Sequence, residues 1–457
     1  MKNSYLNHWP MIEDDKVVLD ILPASYIGGV MAQIADKPWL LLVGPPGCGK
    51  TEMVLPYQDC EEVMFRDDMT MNALFSGYTD ENKSDPSLAK SLDLRCLICK
   101  DFASLRAKNP EKAIVIMSQF RGAYDGHFDL HSGTAGHRGY VTRIGVILCT
   151  TPFPVQLSLI FQQMGERFLS VRMSRVPVTP QRAVERSLES LECSRNKAAV
   201  RDVLRKEFKG WMKEALLFSM ANYEAFTMPR REKQRLAELG YLVTRIRTAP
   251  IKNEGADGNL ETSERVVSQL QSLGTCHALA DGRTEWGEEE TALILRVAHD
   301  TIPAPMRRIF NAVYQMNNIH NKNATVQEIW TMTKKRFSTD FIADALRQFA
   351  EVELVNTDDN VSEFWLTDFT FHILEASGFF LATTKPNLLR RQIHEETNYG
   401  EDKLNLITGE DGTLYKASPA PKPKPKTSGP TTLPTIKPTN KPTKSAPGTG
   451  LPTHPPA

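Results

Sequence analysis

The sequence predicts an α/β fold in its first half, built on a parallel sheet, and three observations lead there. Short continuous apolar runs recur between helical stretches, as buried parallel strands require. One of them, PWLLLVG (Pro38 to Gly44), opens directly into a glycine-rich turn and then TEMVLPY. At 457 residues the chain also exceeds the ~250–300 at which one hydrophobic core stops growing, so two or three domains are expected.

In chain order, residues 17–35 (VVLDILPASYIGGVMAQIA) have apolar spacing near 3.6 and read as a helical segment interrupted by Pro23 and Gly28-Gly29. After the strand at Pro38–Gly44 come strand candidates EVMFR (62–66), LRCLICK (94–100), GVILCTT (145–151) and FLSVRM (168–173). AIVIMSQ is apolar too, but its surroundings between Pro110 and Gly122 suit a helix. Strands alternating with helices make residues 1–178 one α/β domain. From Gln181 the pattern turns helical and charged, residues 249–262 read as a polar loop, and helices resume at SERVVSQLQSLGTCHALA and EEETALILRVAHDTI. Residues 179–302 therefore form a helical lid. PMRRIFNAVYQM, TVQEIWTMTKKRF and TDFIADALRQFAEV are three helices and LVNTDDNVSEFWLTD a turn-linked strand pair, the order of a winged helix over 303–375. Residues 376–417 are an irregular extension. The last forty, 418–457, hold twelve prolines and six lysines with no acid, and form a disordered tail that cannot bury enough apolar surface to fold.

Charge is segregated in the same way. The whole chain balances 55 Lys+Arg against 55 Asp+Glu, but removing the tail leaves 49 basic against 55 acidic side chains in residues 1–417. An acidic folded body thus carries a basic arm, and a strongly basic nucleic-acid binder is excluded for the body. Seven irregularly spaced cysteines argue against a disulfide framework and for a reducing compartment. Cys96 and Cys99 form a CxxC, but side chains three apart on a strand face opposite sides, so both are expected in the core. No run approaches the ~18–20 apolar residues of a membrane span, and the N-terminus lacks the apolar centre of a signal peptide. A soluble cytoplasmic protein with no membrane partner is expected.

The strongest motif is Gly44-Pro45-Pro46-Gly47-Cys48-Gly49-Lys50-Thr51, which matches G-x-x-x-x-G-K-[ST] between a buried strand and a helix, the setting of a P-loop. Backbone N–H groups in such a turn cradle phosphate oxygens, Lys50 reaches the β and γ phosphates, and the Thr51 hydroxyl ligates Mg²⁺. ATP with Mg²⁺ is the expected ligand. A second acid at a neighbouring strand end completes such a site. LRCLICKD delivers Asp101, so Thr51 and Asp101 are the candidate metal ligands; the bland alternative for Asp101 is a helix N-cap before FASLRA. Phe102 follows Asp101 where a Glu commonly polarises the attacking water, which leaves fast hydrolysis in question. Asp125, in the turn YDG, reads first as turn chemistry.

On this ordered set the chain resembles the AAA+ ATPases, a class of P-loop NTPases, and within them the branch with a hairpin inserted before the sensor strand, which includes MoxR-type and MCM-like proteins. The resemblance covers about residues 17–300. GPPGCGKT is similar to Walker A, LICKD to an unorthodox Walker B, YDGHFDLHSGTAGHRGYVTR to the inserted hairpin, and GVILCTTP to the sensor strand, with MGERF after it. KDF, FRGAYDG, TTP and MGERFLSVRM are similar, more narrowly, to ATP-binding proteins of phages and mobile elements. The resemblance implies that Thr150 takes the sensor-1 place, where many relatives have Asn. It implies Arg167 as an arginine finger reaching into a neighbouring subunit's site, a surface salt bridge being the alternative. It further implies Arg265 as the sensor-2 arginine that reads the γ-phosphate, and a homo-oligomer, usually a hexameric ring.

Partners are less constrained. The hairpin region carries His127, His131, His137, Arg138 and Arg143; in related rings such hairpins contact nucleic-acid phosphates, and the bland alternative is a solvated loop. The histidine spacing matches no standard zinc pattern. In the winged helix, the third helix sets Arg347 against Asp340, Asp344 and Glu351, and the wing NTDDNVSE is acidic, while Lys334, Lys335 and Arg336 before that helix suit a phosphate backbone. DNA, or a protein bound through the winged helix, is the expected partner. The leading expectation is an ATPase that remodels DNA or a DNA-bound complex in phage or mobile-element replication. The alternatives are a MoxR-type chaperone acting on protein and a slow nucleotide switch with a regulatory winged helix.

Overall fold

The computed structural model describes residues 2–9, 11, 15–67, 69–70, 72–76, 85–102, 110–133, 136–152, 167–173, 196–247, 262–379, 406–408 and 414–416, with isolated positions between 181 and 191. Five parallel strands form the central sheet: β1 (Leu40–Val43), β2 (Val63–Arg66), β3 (Cys96–Cys99), β6 (Gly145–Thr150) and β7 (Leu169–Arg172). They lie in the order β2-β3-β6-β1-β7, so β1 has a neighbour on each side. An antiparallel hairpin, β4 (His127–Ser132) and β5 (Gly136–Val141), is inserted between β3 and β6 after helix α4 (Pro110–Tyr124).

Period-two alternation divides the strand side chains between two cores. Leu40, Leu42, Cys96, Ile98, Ile147, Cys149, Leu169 and Val171 pack on one face. Trp39, Leu97, Cys99, Val146 and Leu148 pack on the other. Cys96 and Cys99 are thereby separated by the sheet, as the strand period demands, and both are free thiols. The second face is filled largely by aromatics: Trp39, Phe102 and Phe168 each meet Phe120 of α4 edge-on, at 5.9, 6.0 and 5.9 Å.

After the short α1 (Lys2–His8), the first face is covered by α2 (Val18–Val30) and by four later helices, α5 (Lys197–Asn222), α6 (Arg230–Arg247), α7 (Glu264–Ala280) and α8 (Glu288–Thr301). Contrary to the interruptions that Pro23 and Gly28-Gly29 suggest in the sequence, α2 is continuous through all three. Every one of its residues except Asp20 is buried, so tertiary contacts outweigh local helix preference. The glycines are contact points. A Cβ on Gly29 would lie 2.7 Å from the Cα of Gly145, the first residue of β6.

Beyond α8, α9 (Ala304–Asn318), α10 (Val326–Met332) and α11 (Thr339–Glu351) pack with a three-stranded antiparallel sheet in the order β8-β10-β9, comprising β8 (Ala324–Thr325), β9 (Val355–Thr357) and β10 (Glu363–Leu366). A capping box starts α10: the Thr325 hydroxyl accepts from the Glu328 N–H at 3.3 Å and the Glu328 carboxylate accepts from the Thr325 N–H at 3.0 Å. Two features were not expected. Helix α12 (Asp368–Ser377) crosses the boundary placed at 375, and its Phe369 meets Tyr241 of α6 at 5.6 Å. Residues 406–408 and 414–416 pair as β11 (Leu406–Thr408) and β12 (Leu414–Lys416) within the stretch read as irregular. The tail from 418 onward lies outside the described residues. Among the described residues no helix is long and apolar enough to cross a membrane.

Candidate functional site

The short helix α3 (Lys50–Val54) follows β1 through the loop Gly44–Gly49 at the C-terminal edge of the sheet. The Gly44 N–H donates to the Thr150 carbonyl at 3.0 Å, tying the start of the loop to β6. Gly47 and Gly49 have φ of +74° and +93°, a conformation that side chains disfavour, while an added Cβ would meet nothing within 4 Å. Backbone conformation, not space, requires glycine at both. Gly44 is confined instead, since a Cβ there would lie 2.7 Å from Cys48 Sγ and 3.0 Å from Met173 Cβ. Pro45, without an N–H, lends its carbonyl: Lys50 Nζ donates to Gly44 O at 2.7 Å and to Pro45 O at 2.9 Å, and stands 3.6 Å from Cys48 Sγ. Pro46, Gly47 and Thr51 are exposed.

Sheet register aligns the remaining candidates. Thr150 pairs with Val43, the residue before the loop, and is 1 % exposed with its hydroxyl donating to Thr151 O at 3.0 Å. Cys99 pairs with Leu148, so exposed Asp101, two residues on, reaches the level of Thr150. The intervening Lys100 pairs with Asp67 at 2.8 Å, just past the end of β2. Phe102, 2 % exposed, turns into the aromatic core, so the position after Asp101 faces away from the site. The structure thus brings Gly44–Thr51, Asp101 and Thr150 to one edge.

Arg167 and Arg265 are elsewhere. Arg167 stands two residues before β7, whose Leu169 pairs with Leu40, and so belongs to the N-terminal edge. Six strand-like residues separate that level from Gly44, about 20 Å at ~3.3 Å per residue. The Arg167 guanidinium is 6 % exposed, bonds Asp125 at 3.0 Å and lies 5.6 Å from the Tyr124 ring centre. Burial works against its charge, as do the nearby Arg265 and Arg121. Arg265, read as a γ-phosphate sensor, is the second residue of α7, and one turn on Gln269 of that helix donates to the Arg167 carbonyl at 2.7 Å, which puts this end of α7 at the Arg167 edge of the sheet. Asp125, read as turn chemistry, is the partner of that group.

Three contacts escaped the sequence reading. Asp300 of α8, 4 % exposed, accepts from the Arg172 N–H at 2.9 Å and Arg296 Nε at 2.7 Å, and from Arg307 Nη1 of α9 at 3.2 Å. Burial opposes its ionisation, but the bond with His299 and the charges of Arg296 and Arg307 outweigh that and hold it far below the usual carboxylate range. Since Arg172 pairs with Val43, this knot sits one strand from the loop and joins the sheet to α8 and α9. Glu52 of α3 binds Lys197 at 2.9 Å and Arg201 Nε at 2.9 Å, fixing α5 to the helix after the loop. At the hairpin, Asp85 accepts from Arg138 at 2.9 Å, the Tyr140 hydroxyl at 2.9 Å and the Ser87 N–H at 3.0 Å. Apart from His299 and Arg296, on one helix with Asp300, Arg307, seven on from Asp300, and Ser87, two residues after Asp85, these partners lie more than fifty residues apart, where no sequence spacing links them.

Two arginines expected on phosphates are thus engaged by carboxylates, Arg138, midway along the hairpin, with Asp85 and Arg143, just beyond its base, with Asp93 at 2.7 Å. The histidines stay exposed: Asp129 meets His127 at 3.0 Å and His137 at 3.3 Å, and the His131 and His137 rings are 5.5 Å apart. Among the described residues no three side chains gather as a metal site. No protein-family model matches this chain, and no curated protein matches it in sequence.

Proposed function

We propose that this chain is an AAA+ type ATPase that binds ATP with Mg²⁺ on Gly44–Thr51 and couples its turnover to remodelling of DNA or a DNA-bound complex. The observation that carries the reading is the alignment of the Lys50 loop, Thr150 and Asp101 on one sheet edge, with the strand bearing Thr150 between the other two. The order β2-β3-β6-β1-β7 and the hairpin before β6 are in keeping with it. So are the three helices and antiparallel strands after α8, whose order is that of a winged helix.

The residues fit the metal. Thr51 and Asp101 are exposed oxygen donors on the same edge, and Mg²⁺ needs only one or two protein oxygens beside those of phosphate and water. When bound, Mg²⁺ neutralises charge on the phosphate oxygens. Lys50 holds loop carbonyls within the same reach, so its amine is already directed into the cradle. Thr150 is positioned by backbone pairing, which leaves its hydroxyl able to exchange the Thr151 carbonyl for a water or phosphate oxygen.

Burial of Phe102 favours a second reading, a slow nucleotide switch, because no carboxylate follows Asp101 to polarise water. Titration of a fluorescent ATP analogue separates both from a chain that binds no nucleotide. Lys50→Ala is expected to weaken binding at least about tenfold, and an unchanged affinity sinks the assignment. Turnover that rises with DNA supports the first reading, and binding without turnover supports the switch.

A further inference from the structure

We propose that Arg308, Lys334, Lys335 and Arg336 form a sequence-independent contact for the phosphate backbone of duplex nucleic acid. This rests on the DNA partner of the preceding reading and names where and how it is held. Lys334 and Lys335 both adopt left-handed backbone, with φ of +55° and +57°, a conformation unfavourable for residues with a Cβ. The turn is held by the Lys334 N–H donating to Thr331 O at 3.0 Å and the Lys335 N–H to Trp330 O at 2.9 Å. It presents three consecutive cations to solvent between α10 and α11. Exposed Arg308, in the second turn of α9, lies on the helix that packs against α10 just before this turn, and burial and then Arg336 work against its charge. A bridging anion relieves that repulsion, and a phosphate backbone supplies such anions at regular spacing.

The elements that read bases in related folds are closed to that role here. On α11, Arg347 is bonded to Asp344 at 3.1 Å, with Asp340 in the first turn. The turn between β9 and β10 contains Asp358, which accepts from the Ser362 N–H at 2.6 Å and the Glu363 N–H at 2.7 Å. Those bonds hold its carboxyl down to about 2, so it stays anionic and repels phosphate. Backbone contacts position a protein without reading sequence, so affinity should be indifferent to base order. A duplex is favoured over a single strand because single strands need aromatic faces for stacking, and Lys335 lies over the Trp330 ring at 4.7 Å.

The test is fluorescence anisotropy of the full chain with short duplexes of two unrelated sequences and with a single strand, between about 50 and 200 mM salt. Lys334→Gly with Lys335→Gly removes two charges while suiting the left-handed turn, so the fold is kept; Arg308→Ala with Arg336→Ala removes the other two. The expected result is weaker duplex binding for each pair, equal for both sequences, with the salt slope reduced by about 2 per pair. Unchanged affinity, sequence-selective loss, or tighter binding of the single strand overturns the proposal. ATP binding measured on the same variants should be unaffected; its absence in the parent chain defeats the nucleotide reading, whereas its persistence without duplex binding defeats this one.

Discussion

Asp85 illustrates how a single carboxylate fixes the hairpin. Its side chain is 5 % exposed and accepts from Ser87, Tyr140 and Arg138, and although burial opposes ionisation, these partners bring its carboxyl down to about 2. The folded value lies below the ~3.9 of an unfolded chain, so the stabilisation is fully present above that pH and is lost as pH falls toward 2. Asp85→Asn should therefore cost about 2 kcal/mol at neutral pH, and the difference in melting temperature from the parent should narrow between about pH 4 and 2. A constant difference would show that the charge is irrelevant. At this scale the backbone of the loop was legible because Gly47 and Gly49 answer to local conformation alone. Asp85 was not, because Arg138 and Tyr140 lie more than fifty residues away and no local pattern connects them.

Among the elements, the five strands of the parallel sheet were legible to within a residue or two, since continuous apolar runs such as CLIC and GVILCT are what burial on both faces requires. Helix α2 was misjudged at its glycines, whose purpose belongs to the strand they touch. Gly145→Ala would place a Cβ 2.6 Å from Gly29 Cα, and backbone cannot yield as a flexible side chain does. A loss of about 1–3 kcal/mol is expected, read as a lower denaturant midpoint at unchanged slope. Full stability in that variant would mean α2 and β6 separate freely. Helix α12 is cut by the boundary the sequence suggests at 375 for a different reason: Thr367 caps it by accepting from the Thr370 N–H at 3.1 Å, but the composition after the strand pair carries no helical period of its own.

Across the whole molecule, sequence motifs located the loop and the arginines but not their separation, which depends on strand direction. The Lys50 loop and the Arg167 group occupy opposite edges of one sheet. If Arg167 serves another copy's nucleotide, Arg167→Ala should retain ATP binding and lose turnover. Mixing it with Lys50→Ala, which keeps Arg167, should restore part of that turnover. Mixtures no more active than either variant alone would confine Arg167 to bracing Asp125 and Tyr124.

That separation also restricts symmetry. A contact pairing the loop edge of one copy with the arginine edge of the next uses two different surfaces, so it is heterologous and no two-fold axis can relate its halves. Repeating it leaves one donor and one acceptor surface free at every step, until rotation closes a ring or the series continues as a helical filament.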